Sequence, residues 1–214
     1  MQRLLVTDSV RYVVDEPDLL QLFEQAPSFY SSRFKGQASR GDGSATSSKV
    51  LLATDRLGVF GVVLYAELDP PRAPSLSHWL GFAGDRQWVS LGGGGSSGRN
   101  RLMVREPRQV PNGLYVIPIG GASYSSDEID RSGRWLTVFS TQLHISSEVA
   151  RVVISERGAE RTLVPEDHGN LIVLHEDGGL PDVRAYDSAG RDLMHGIDQQ
   201  PGFDEWRRRH PDPG

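Results

Sequence analysis

The chain has 214 residues, 37% of them hydrophobic and 24% charged, with a formal net charge of −5. A chain of this size buries about 70% of its unfolded surface in one large domain or two small ones, and the acidic balance argues against a nucleic-acid partner. No cysteine is present, which excludes disulfides, thiolate metal sites and a cysteine nucleophile, and makes the reducing cytoplasm the expected compartment.

The 24 glycines and 13 prolines are more turn chemistry than a helical bundle tolerates. They point to a mainly β protein: antiparallel, β-sandwich-like lobes with one short N-terminal helix. Residues 4–7 are too short an apolar run for a secretory leader, which needs about 7–15. No stretch reaches the roughly 18 apolar residues of a membrane span, so no membrane partner is expected.

In chain order, residues 4–7 and 10–14 read as strands around Asp8-Ser9. Asp15-Glu16-Pro17-Asp18 then starts a helix, with Leu19, Leu20 and Phe23 on its apolar face and Pro27 ending it. Residues 31–48 form a polar loop. Strands follow over 49–54 and 58–68, joined by Asp55-Arg56-Leu57. The near-continuous apolar run from Val59 to Tyr65 marks a central strand covered on both faces. Pro70, Pro71 and Pro74 break the chain. Residues 86–91 and 101–105 are strands flanking the loop 92–98, and the Pro/Gly cluster at 106–113 divides the chain. Beyond it, strands are expected over 114–119, 134–140, 150–155, 160–164, 171–175 and 183–186, with turns at Arg157-Gly158 and Asp177-Gly178-Gly179. The organisation expected is a β-rich lobe over 1–106, a sandwich lobe over 107–197 and a tail over 198–214.

Within the second lobe, Val149-Ala150-Arg151-Val152 opens a strand, Arg157-Gly158 turns it, and residues 170–174 return. Pro181 then precedes Val183-Arg184-Ala185-Tyr186-Asp187-Ser188-Ala189-Gly190-Arg191. In this pattern residues 149–193 resemble a β-sandwich module of actinobacterial proteins of unassigned function. The resemblance implies a fold, and a tight turn shaped by Asp187 and Gly190. It implies no chemistry.

Several motifs have structural readings. Gly93-x-Gly95-x-x-Gly98 fits the dinucleotide pattern, but that chemistry needs a helix next to receive the pyrophosphate, and residues 99–105 read as a strand. A hairpin loop is the better reading, and no cofactor is expected. Arg40-Gly41-Asp42 is loop chemistry. His168, in Glu166-Asp167-His168, and His175, in His175-Glu176-Asp177, bracket one strand. At about 3.3 Å per residue that strand holds the imidazoles roughly 20 Å apart, so no metal site is expected. Gly121-Ala122-Ser123-Tyr124-Ser125 lacks the second glycine of a nucleophile elbow. Asp127, Glu128 and Asp130 read as a solvated acidic loop.

Aromatic residues are the positive signal. Trp79 and Trp88, in a glycine-rich region, stack on sugars or anchor a partner if exposed, and fill the core if buried. Phe203 and Trp206, three apart and followed by Arg207-Arg208-Arg209, would share one face of a helical turn. That turn would anchor a partner or a second copy, and deleting residues 200–214 would then leave the fold largely intact. The function expected is a non-enzymatic protein–protein interaction or assembly module of a bacterium, acting on another protein or by self-association. The alternatives are a hydrolase with a carboxylate/histidine site between the lobes, and a lectin-like sugar binder using Trp79 and Trp88. Residues 31–48 and 92–98 cannot repay the entropy of ordering. Limited proteolysis should therefore cut first near Arg33, Arg40 or Arg99, and a first cut within 114–187 would contradict the reading.

Overall fold

The apolar run Phe60–Leu68 forms a strand buried along nearly its whole length. This fits its place between two neighbours in a sheet covered on both faces. A computed structural model describes residues 18–27, 48–68, 74–83, 87–96, 105–108, 113–129, 135–156, 158–176 and 178–209. Among these are eleven strands in three antiparallel sheets, with two short helices, so the fold is mainly β and sandwich-like. No helix among the described residues is long and apolar enough to cross a membrane. The strands expected over 4–7 and 10–14, and the loop over 31–47, lie outside the described residues.

The first sheet has the order β1 (Ser48–Leu57), β2 (Phe60–Leu68), β3 (Ser75–Ala83), β4 (Trp88–Ser96). The middle sheet is β5 (Val116–Ile129), β6 (Trp135–Ile145) and β9 (Asn170–His175). The third sheet runs β11 (Asp192–His195), β10 (Asp182–Tyr186), β7 (Arg151–Glu156), β8 (Ala159–Leu163). Side chains alternate across a strand, and β9 shows how the layers stack. Ile172 and Leu174 join a core with Leu52, Phe60, Val62, Leu64, Leu76 and Leu80 of the first sheet. Leu171 and Val173 join Val152, Ile154, Val183 and Ala185 of the third. The middle sheet is thus the filling of a three-layer stack, and the core between the first two layers draws on both chain segments.

Helix α1 (Leu19–Gln25) is capped by Asp18, whose carboxylate accepts from Leu20 N–H. It packs on the outer face of the first sheet through Leu22, with Leu19 and Phe23 beside it. Leu20, expected on that face, is 53% exposed. The 19, 22, 23, 26 spacing follows the helical period, and Leu20 falls about a quarter-turn outside it.

Three other expectations change. The β1–β2 turn is Gly58-Val59, not Asp55-Arg56-Leu57. Asp55 and Arg56 pair with Val62 and Gly61 within the ladder, while Gly58 takes the positive φ of +57° that a two-residue hairpin loop demands. Residues 75–83 form a strand where none was expected. The glycine run from Gly92 to Gly95 is not a loop but part of β4, paired with β3. A Cβ at Gly93 would run into the His78 carbonyl and the Trp79 ring, so glycine is what lets β4 lie this close to them.

The hairpin at Gly158 joins β7 and β8 as expected. The turn after β10 is shaped by Asp187, whose carboxylate accepts from Ala189 N–H and Arg191 N–H, and by Gly190 at φ +79°.

The tail is core. Gln200 is buried: its Oε1 accepts from Tyr115 N–H and Val116 N–H, and its Nε2 donates to the carbonyls of Val116 and Ile197. Phe203 opens helix α2 (Phe203–Arg209) and sits inside the core between the middle and third sheets. Deleting residues 200–214 therefore removes a fully bonded amide and a core aromatic. Phe203→Ala alone should cost about 3–5 kcal/mol by cavity formation, read as a drop in the urea midpoint. An unchanged midpoint would mean the tail is not part of the folding unit.

Candidate functional site

The polar side chains with chemical potential lie in three places, each fixed by strand register. The first is under α1. Val63, Tyr65 and Glu67 point to the outer face of the first sheet, as do Ser77 and Trp79 from β3. The Lys49 ammonium donates to the carbonyls of Phe23 (3.1 Å) and Ala26 (2.6 Å), closing the helix C-terminus, where a cation suits both the unpaired carbonyls and the dipole. Burial pulls the Lys49 amine below the ordinary lysine range. The Tyr65 hydroxyl donates to the Pro27 carbonyl at 2.8 Å, and Ser77 donates to the fully buried Glu67 at 3.3 Å. Gly61 and Gly81, paired across the β2–β3 ladder, form the floor on which Trp88, Leu19 and Leu22 lie.

The second place joins all three sheets. Asp55 of β1, 7% exposed, accepts from the Leu174 N–H of β9 at 2.6 Å and pairs with Arg161 of β8 at 2.9 Å. The Arg161 guanidinium also donates to the carbonyls of Leu174 and Arg56. Burial raises the Asp55 carboxyl to about 6, outweighing the Arg161 charge and the backbone donors that favour its ionised form.

The third place bridges the first and middle sheets. His78 of β3, 1% exposed, accepts through Nδ1 from the Gln142 amide of β6. Burial lowers its imidazole to about 4. Among the described residues its Nε2 and the Gln142 Oε1 have no hydrogen-bond partner. On the opposite side of the middle sheet His175 meets Thr141 Oγ1 at 2.8 Å and stacks on Phe139. His144 meets Asn170 at 3.3 Å within the β6–β9 pair.

The residues singled out in the sequence separate. Trp88 is buried and its indole donates to the Asp18 carbonyl at 2.8 Å, so it holds α1 and leaves no open ring face for a sugar. Trp79 is half-buried over Gly93. Phe203 and Trp206 stack with centroids 5.7 Å apart, Phe203 inside the core and Trp206 at its margin, with Arg207, Arg208 and Arg209 exposed. Asp127 and Glu128 belong to strand β5, and Asp130 lies outside the described residues. Among the described residues no three of His, Asp and Glu converge on a metal-sized site.

Sequence reading missed Asp55, Arg161, His78 and Gln142 as linked pairs. The one available signal was a charged or amide side chain inside an otherwise apolar strand, as in Leu51-Leu52-Ala53-Thr54-Asp55 and Thr141-Gln142-Leu143. Comparison with protein-family models, with curated proteins and with solved structures finds no match.

Asp55 gives a signed pH effect. Its folded pKa of about 6 lies above the ordinary aspartate value of 3.8, so its contribution to stability is full below the unfolded value and is lost as pH rises through about 6. His78 has the opposite sign, its contribution being lost as pH falls from 6.5 towards about 4. Asp55→Asn removes the group that offsets His78. Its stability should fall more steeply on acidification from pH 6.5 to 4 than that of the wild type, measured as urea midpoints at stepped pH. Parallel profiles would refute the assignment.

Proposed function

We propose that the protein is a non-enzymatic protein–protein interaction or assembly module of a bacterial cytoplasm. One observation carries this reading: the side chains suited to catalysis are spent on contacts within and between the buried sheets. Asp55, His78, His144 and His175 are buried, and each is bonded to a fixed internal partner: Arg161, Gln142, Asn170 and Thr141 respectively. A hydrolase reading needs a carboxylate and an imidazole that a substrate can reach together, and these four are committed elsewhere.

What reaches the surface is of another kind. Helix α2 presents Trp206 at the edge of the core with three exposed arginines beside it. Tryptophan and arginine are the residues that dominate protein contacts. Arg209 is held by Glu205 one turn back, and Arg208 by the Asp204 carbonyl, so the basic rim is oriented by the helix. It suits an acidic surface on a partner or on a second copy.

Reversing Arg207 and Arg208 to Glu leaves the Phe203 anchor in place and tests the surface without the fold. Light scattering across a wide concentration range should show a mass above the monomer for the wild type and a shift towards monomer for the variant, at equal thermal stability. A wild type that stays monomeric throughout, or a variant of unchanged mass, would count against self-association through α2.

A further inference from the structure

Among the described residues two polar contacts join the first and middle sheets, one at an edge of their interface and one inside it. At one edge β1 lies against β9, and the Asp55 carboxylate binds Leu174 N–H and Arg161. Towards the other, β4 approaches β5, and the polar link is His78 with Gln142. The two edges differ in what else holds them. Against β1 and β9 pack the buried Leu52, Ile172 and Leu174, whereas β4 and β5 bring only the partly buried Leu91, Ile119 and Tyr124, with glycines beside them. Gly94 stands opposite His78 in the β3–β4 ladder, and Gly120 opposite Gln142 in the β5–β6 ladder. A Cβ at Gly94 would come 2.9 Å from the imidazole Cε1, and one at Gly120 3.5 Å from the Gln142 Oε1. Gly94 leaves room for the imidazole, and neither glycine contributes apolar area of its own, so this edge is the less stable one.

We propose that acidification opens the stack along its β4–β5 edge, with His78 as the trigger and the Asp55–Arg161 contact as the hinge.

The neutral imidazole accepts from Gln142. Protonation puts a charge among Leu64, Leu76 and Leu80, where no anion among the described residues meets it. The groups that face His78 from the surrounding elements bear this out. Strand β2 presents Val62, Leu64 and Ala66, β4 presents Gly94, and β5 presents Ile119 and Tyr124. Strand β6 presents Ser140, Gln142 and His144, and β9 presents Ile172 and Leu174. Strand β1 presents Leu52 and Asp55, the latter already paired with Arg161 from β8. Tyr124, His144, Asp55 and Arg161 are thus the titratable or charged neighbours among the described residues, and the one carboxylate is engaged at the hinge. His144 bonds to Asn170 inside the middle sheet, so its protonation does not act across the interface. Below about 6 the Asp55 carboxyl becomes neutral, the form its burial favours, but its oxygens still accept from Leu174 N–H and from Arg161, and Leu52, Ile172 and Leu174 stay packed beside it, so the hinge holds. Opening exposes Leu76, Leu80 and Tyr124 from the core.

Hydrogen exchange by mass spectrometry on the full chain at pH 7 and pH 5, corrected for intrinsic rates, tests the proposal. With the folded imidazole at about 4 and the solvated one near 6.5, linkage favours the open form about 20-fold more at pH 5 than at pH 7. Peptides from β3, β4 and the first half of β5 should exchange faster by about that factor, while β1 and β9 keep their protection. The acid-induced increase should vanish in His78→Gln. Uniform loss of protection, or none, in the wild type overturns the proposal whether or not the variant folds. An increase that persists in a folded His78→Gln chain overturns it too.

Discussion

Three sheets meet at one carboxylate. Asp55 reaches from the first sheet to the backbone of the middle sheet and to the guanidinium of the third. Taking both charges out of water costs several kcal/mol per ion, and their attraction repays that only when the remaining donors and acceptors are satisfied. Here they largely are: Arg161 spends further N–H groups on the carbonyls of Leu174 and Arg56. The contact is therefore better understood as a register pin than as a store of stability. Apolar surfaces slide over one another at little cost, whereas a charge pair with backbone partners on two strands tolerates one alignment.

That pin matters because β9 and most of β6 are buried on both faces. Strand β9 lies between the two outer layers, and its sequence Asn170-Leu171-Ile172-Val173-Leu174-His175 is buried throughout. Strand β6 cannot be so uniform. Thr141 and Gln142 project to opposite sides, and each is matched by a histidine, His175 towards the third sheet and His78 towards the first. Each pairing converts a polar side chain that would resist burial into a specific contact. The first is complete at the hydroxyl, while the second leaves an imidazole nitrogen and an amide oxygen without partners among the described residues. The two faces of the middle sheet are thus unequally satisfied, and the less satisfied one is also the one edged by glycine.

How much of this was legible follows from what each segment had to signal. Strand β2 and the β7–β8 hairpin were plain, because an unbroken apolar run and a glycine between β-branched segments have few other readings. Strand β3 was hidden because Ser77, His78 and Gly81 interrupt its apolar residues; their burial comes from α1, Gln142 and Trp88, which are distant in sequence. The glycine run suggested a loop by propensity, and tertiary packing overrode it: β4 exists because β3 offers it a ladder and two large side chains to lie over. The polar pairs were invisible for the same reason, since Asp55 and Arg161, or His78 and Gln142, are brought together only by the stacking of sheets.

The glycines carry a cost that is also informative. A glycine in a strand loses more conformational entropy than any other residue, by roughly 0.5–1 kcal/mol relative to alanine, and it adds no side chain to the core. In β4 four of them stand in succession. Gly93 is required by the carbonyl of His78 and the ring of Trp79, and Gly94 by the imidazole. Of the two, only the concession at Gly94 is owed to the imidazole itself. The presence of a bulky, polar and incompletely bonded histidine thus weakens its own strand pair and the edge beyond it. In a scaffold whose other interfaces are filled with branched aliphatic side chains, this concentrates the softness of the molecule in one identifiable place.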